Sequence, residues 1–131
     1  MVTGIIRLML RAEGLALFLA SLFAFQMLGG NWWMFAALIL VPDLSFIGYA
    51  FGPKIGSIAY NALHSTIGPL FLACLGWWLD QDSTMIHILR DIGGFTALIW
   101  LAHIGFDRTV GYGLKYASAF KDTHLGAIGK N

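Results

Sequence analysis

The sequence predicts an all-α integral membrane bundle of four transmembrane helices, with the N- and C-termini cytoplasmic. Two observations predict it. Of 131 residues, 58% are hydrophobic and 11% charged, less than half the charged fraction of an ordinary soluble domain, so there are too few charges to cover a water-facing surface. The apolar residues also come in long runs broken by turn residues. At about 20 residues per crossing, residues 1–131 make a single membrane domain of about four spans.

Helix 1 is expected from about Ile5 to Leu28, retained rather than cleaved as a leader, and stopped by Gly29-Gly30-Asn31, residues that tolerate the left-handed conformations of a tight reversal. Helix 2 is expected from Trp32 to about Ala50, where Gly52-Pro53 turns the chain. Helix 3 covers about Ile55 to Leu79 and ends on Trp77-Trp78, which with Trp32-Trp33 marks one membrane interface. Asp80 to Asp91 reads as a solvated outer loop with a short helical piece, His87 included. Helix 4 follows from about Gly93 to Leu114, and Lys115 to Asn131 is a polar cytoplasmic tail. Glycines 94, 105, 111 and 113 are expected to let helices approach closely.

Orientation follows from the basic residues, because Lys and Arg near helix ends are retained in the cytoplasm. Arg7, Arg11, Lys54, Arg108, Lys115, Lys121 and Lys130 fall at one face and Arg90 alone at the other, seven of the eight basic residues. The expected location is the cell's inner (plasma) membrane, multi-pass, with membrane lipid as the partner. The basic residues form no cluster, so no nucleic acid is expected. The single cysteine, Cys74, lies in an apolar run and reads as a small core residue.

An ionisable group in hydrocarbon is costly unless it is paired, hydrated or metal-bound, so each one marks a candidate site. Counted from the cytoplasmic ends at 1.5 Å per residue, Glu13, Asp43, His64 and His103 all fall at about 13–17 Å, near the middle of the bilayer. Four helices thus bring polar groups to one depth. His103 and Asp107 are four apart, the spacing at which one helix face presents two ligands to one cation. Pro42 precedes Asp43 and is expected to kink helix 2 inward, and Asn61 lies three residues before His64. Two imidazoles and two carboxylates suit a divalent metal, zinc first, with Mn²⁺ or Fe²⁺ as alternatives.

Pro42-Asp43, His64-Ser65 and His103-Ile104-Gly105-Phe106-Asp107 resemble, in order, the Pro-Asp, His-Ser and His-x-x-x-Asp elements of the YdjM-like inner-membrane metal-dependent hydrolases. They are similar also to the metal ligands of zinc-dependent phospholipase C. Taken whole, the chain resembles a family of small uncharacterised bacterial membrane proteins. The matching segments are Arg11-Ala12-Glu13-Gly14, Pro42-Asp43-Leu44-Ser45, Tyr60-Asn61 through His64, Ala102 through Arg108, Gly111 through Lys115, and Phe120 through Gly126. The YdjM-like proteins carry another His and an Arg just before His-Ser, where this chain has Tyr60, Asn61 and Ala62. Replacements for them would come from Glu13 and from His124, if the tail folds back.

The resemblance implies a metal-dependent hydrolase acting on a lipid or lipid-like substrate at the inner leaflet. Asp43, His64, His103 and Asp107 would hold the metal, Glu13 or Asp107 would be general base, and Arg108 would bind an anionic head group. The rival reading is a small proton-coupled transporter or channel exchanging protons at Glu13, for which so short a chain suits a homo-oligomer. A third is a structural membrane subunit in which the same polar groups only hydrogen-bond one another and Glu13 pairs with Arg108. Tyr49, Tyr60 and Tyr112 read as core or interfacial aromatics, and Ser65 and Thr66 as bonded back to their own helix.

Overall fold

A computed structural model describes residues 4–78 and 84–129. The expected outer-loop residues Asp80 and Asp82, and Lys130 of the tail, lie outside these residues. The chain is mainly helical: α1 (Gly4–Met27), α2 (Trp32–Leu38), a 3₁₀ segment (Val41–Phe51), α3 (Pro53–His64), α4 (Ile67–Trp78) and α5 (Thr84–Val110). Three stretches, Gly4–Met27, Trp32–Phe51 and Pro53–Trp78, are long and apolar enough to cross a membrane. Their outer faces are unlike those of a water-soluble protein, with Phe23, Ile47, Ile67, Phe71, Trp33 and Trp77 all more than 60% exposed. So much apolar surface suits lipid against it.

Two of the expected helices are interrupted, and in each a proline lies close to the break. Pro42 has no N–H for the Leu38 carbonyl, so the α-helix stops and the chain resumes with three-residue spacing, Asp43 N–H bonding to the Leu40 carbonyl at 3.1 Å. The 3₁₀ segment turns Pro42 and Ser45 inward, three residues apart, and packs along α3. In the second interruption, Pro69 cannot bond the Ser65 carbonyl, and Ser65 adopts an extended conformation between α3 and α4. The Ser65 hydroxyl accepts the Ile67 N–H at 3.1 Å instead of bonding back to its own helix. The Leu63 carbonyl thus has no Ile67 partner and is taken by the Trp100 indole N–H.

α5 begins earlier than expected, at Thr84, so residues 84–91 belong to a helix rather than a loop. It ends at Gly111, whose φ of 100° closes it. It is the hub, with α1, α2 and α4 packed against it. A Cβ added at Gly105 would stand 2.6 Å from the Phe18 nitrogen and one at Gly14 2.7 Å from Arg108 Cβ, so α1 and α5 meet backbone to backbone. The other glycines differ from expectation: a Cβ at Gly94 would meet nothing within 4 Å, and Gly113 makes room for His124. Cys74 is exposed on α4, not in the core.

The residues after α5 form a folded cap rather than a solvated tail. A small hairpin, β1 (Asp122–Thr123) and β2 (Gly126–Ala127), pairs antiparallel with Thr123 opposite Gly126, and Thr123 and Leu125 are fully buried. Gly126 lies against Arg7, so both ends of the described chain meet at one end of the bundle. At the other end, Phe25 packs edge-on against Trp32, Phe35 and Phe95.

Candidate metal centre

Three separate backbone features bring the candidate ligands together. Asp43 sits in the first turn of the 3₁₀ segment, His64 is the last residue of α3, and His103 and Asp107 lie one turn apart on α5. His64 Nε2 is 3.1 Å from His103 Nε2 and 3.5 Å from both Asp43 Oδ1 and Asp107 Oδ2. His103 Nε2 is 3.5 Å from Asp43 Oδ1 and 3.8 Å from Asp107 Oδ2. All four donor atoms lie within 4.8 Å of one another. Both histidines are buried, while the Asp107 side chain is 12% exposed and that of Asp43 34%.

The surroundings orient these donors. His64 Nδ1 is 2.9 Å from the Tyr60 carbonyl, which only accepts, so the proton sits on Nδ1 and Nε2 presents its lone pair to the cluster. Tyr60, 1% exposed, donates its hydroxyl to Asp107 Oδ2 at 3.0 Å. Its ring stacks on His64 with centroids 3.6 Å apart and planes 11° from parallel. One residue therefore fixes a carboxylate and an imidazole at once. The donor chemistry fits a divalent cation: two imidazole nitrogens and two carboxylate oxygens converge from three elements.

Behind Tyr60 lies a cation that sequence reading does not nominate. Lys115, 4% exposed, donates from Nζ to the Phe120 carbonyl at 2.9 Å. Its ammonium stands 3.7 Å from the Phe120 ring centre and 4.7 Å from that of Tyr60. Burial pushes its pKa down, with the charge of Asp107 opposing. The Lys115 backbone is clamped by Asn61, whose amide donates to its carbonyl at 2.9 Å and accepts its N–H at 2.7 Å. Only the i to i+4 spacing of Tyr60 and His64 signals any of this in the sequence.

Of the other nominated residues, Arg108 is half-buried and lines a narrow crevice with His64, Asp107 and Tyr112. Glu13 stands apart: it is exposed on α1 beside buried Gly14, and no ion pair joins it to Arg108 among the described residues. The cap does fold back, but it brings His124 to the Leu114 N–H, bonded at 2.9 Å, and not to the cluster.

A family model described as a domain of unknown function (DUF4260) matches residues 7–128. No curated protein and no solved structure matches the chain.

Proposed function

The chain belongs to the DUF4260 family, and on that footing we propose that it is a membrane-embedded, metal-dependent hydrolase acting on a lipid or lipid-like substrate. The observation that carries this reading is the shape of the cluster. A tetrahedral shell with bonds of about 2.0–2.1 Å has ligand-to-ligand edges of about 3.3–3.4 Å; the five edges at the histidines run from 3.1 to 3.8 Å, and the sixth, between the two carboxylates, lies within 4.8 Å. Zinc is the ion this donor set suits first. A bound ion would lower the pKa of a coordinated water toward neutrality and polarise a phosphoryl or carbonyl oxygen.

The residues divide the remaining work. Asp43, in the 3₁₀ segment and with its side chain a third exposed, would hold the ion through one carboxylate oxygen and has room for the carboxylate to accept a proton from a water and return it to the leaving alcohol. Arg108, at the crevice beside Asp107, offers a planar fork to an anionic head group. Tyr60 holds Asp107 and His64 in place. Glu13 has no part in this assignment. The seven basic residues at one face support a cytoplasmic cap, with α5 as a fourth crossing sheathed by the others and the site reached from the inner leaflet.

The test is metal analysis of the purified protein in detergent, combined with melting in chelator. The unmutated protein should carry one zinc per chain and melt lower in chelator, because metal bound to the native state alone adds stability. His103→Ala should carry none and melt equally with and without chelator. Metal-free, chelator-insensitive protein that is fully folded would show that the cluster only packs helices.

A further inference from the structure

We propose that the apolar cavity next to the cluster is a subsite for one hydrocarbon chain of a membrane lipid, holding the part of the chain closest to the head group. The proposal rests on the metal-centre reading and adds to it which part of the substrate goes where.

The cavity has a volume of about 180 Å³ and lies between Val41 and Pro42, Leu63, and Thr96, Ile99 and Trp100 of α5. Two of its wall residues are the chain neighbours of cluster residues: Pro42 directly precedes Asp43, and Leu63 directly precedes His64. On α5, Ile99 and Thr96 lie about 6 and 10 Å along the helix axis from His103. They lie on the side away from Asp107, Arg108 and the cap. Polar and apolar subsites are thus laid out along one axis, anion-binding Arg108 at one end, the four donors between, and the cavity deeper in the bundle. A membrane lipid has the same order.

The lining side chains, Leu38 included, are apolar apart from the Thr96 hydroxyl and the Trp100 indole N–H, and the latter is already committed to the Leu63 carbonyl. Water has too few partners to occupy such a space stably. The mouth is on the lipid-facing flank, where Val41 is 43% and Leu40 65% exposed, so a chain enters sideways without passing through water. An apolar cavity of about 150 Å³ accepts a benzene-sized group, so this one takes roughly the first six carbons of a chain. The rest leaves past Val41 into the bilayer.

The experiment uses the full chain in phosphatidylcholine vesicles containing phosphatidic acid. One acyl chain of the phosphatidic acid bears a diazirine, placed either near the ester or at the terminal methyl, and cross-links are mapped by mass spectrometry. The near-ester probe should label Thr96, Ile99 or Trp100. Ile99 is 1% exposed, so bulk lipid cannot reach it. The terminal probe should label only lipid-facing side chains such as Leu40 and Ile47. Val41→Trp, at the mouth and outside the metal centre, should abolish labelling of Ile99 and Trp100 while leaving Ile47 labelled. No labelling of these α5 residues in the unmutated protein, or labelling that survives Val41→Trp in folded protein, would overturn the subsite. The metal reading fails separately: cavity labelling in protein that binds no metal would retain the chain subsite and remove the hydrolase.

Discussion

His64 and His103, on different helices and 39 residues apart, point their Nε2 atoms at each other across 3.1 Å. The Tyr60 carbonyl fixes the His64 proton on the far nitrogen, so a lone pair faces the space that Asp43 and Asp107 also face. A set of acceptors this dense requires a positive species among them, a proton or a metal ion. The difference between those two is the difference between a packing cluster and an active centre.

Tyr60→Phe separates the orienting role of this residue from its packing role. The ring stack on His64 remains, and the hydrogen bond to Asp107 is lost. Metal affinity, measured by competition with a chromogenic chelator, should fall about 10- to 100-fold, as for other groups that orient metal ligands. Unchanged affinity would show that Asp107 needs no orienting partner.

The α1 to α5 contact is the one most sensitive to volume. Gly105→Ala places a methyl group 2.6 Å from the Phe18 nitrogen and 2.8 Å from the Gly14 carbonyl, both backbone atoms with no freedom to rotate away. It should destabilise the folded protein by about 1–3 kcal/mol in reversible unfolding. Gly94→Ala, which meets nothing within 4 Å, should be neutral or stabilising by up to about 1 kcal/mol. The reverse order would contradict this packing.

The cap should loosen in acid. Burial pushes the His124 pKa below its ordinary 6.5, with Arg108 adding to the effect, and protonation also removes the lone pair that accepts the Leu114 N–H. The docked cap binds fewer protons than the released one, so its contribution to stability is complete above pH 6.5 and is lost as pH falls below that value. Limited proteolysis between Leu114 and Leu125 should therefore be faster at about pH 5 than at neutral pH, after correction for protease activity. His124→Gln should remove the difference. Equal cleavage at both pH values would show that His124 does not hold the cap.

The site was more legible in the sequence than the backbone that builds it. The four clustered residues could be found because burying a charge in an apolar span is costly enough that Asp43, His64, His103 and Asp107 stand out, and because the spacing of His103 and Asp107 fixes a shared face. Pro42 indicated a kink but not its form, since one missing N–H is compatible with a bend, a break or a 3₁₀ continuation. A tail folding back was one reading of the sequence, but the form of the cap was not legible: residues 115–128 are polar and glycine-containing, and what docks them is two-way bonding between Asn61 and the Lys115 backbone, a contact across 54 residues. Glu13 shows the opposite error. Counting along a helix gives a depth but not the direction around it, and with Gly14 turned inward the Glu13 carboxylate is exposed on α1, outside the cluster.

The most direct test of the central claim, that Asp43, His64, His103 and Asp107 form one coordination shell, is the visible spectrum of the protein loaded with Co²⁺, whose absorption reports coordination geometry. Co²⁺ should saturate at one equivalent and give the intense bands of a four- or five-coordinate ion. The bands should be lost in His64→Ala and His103→Ala and weakened in Asp43→Asn. No binding, or a faint six-coordinate spectrum that persists in both histidine variants, would contradict it.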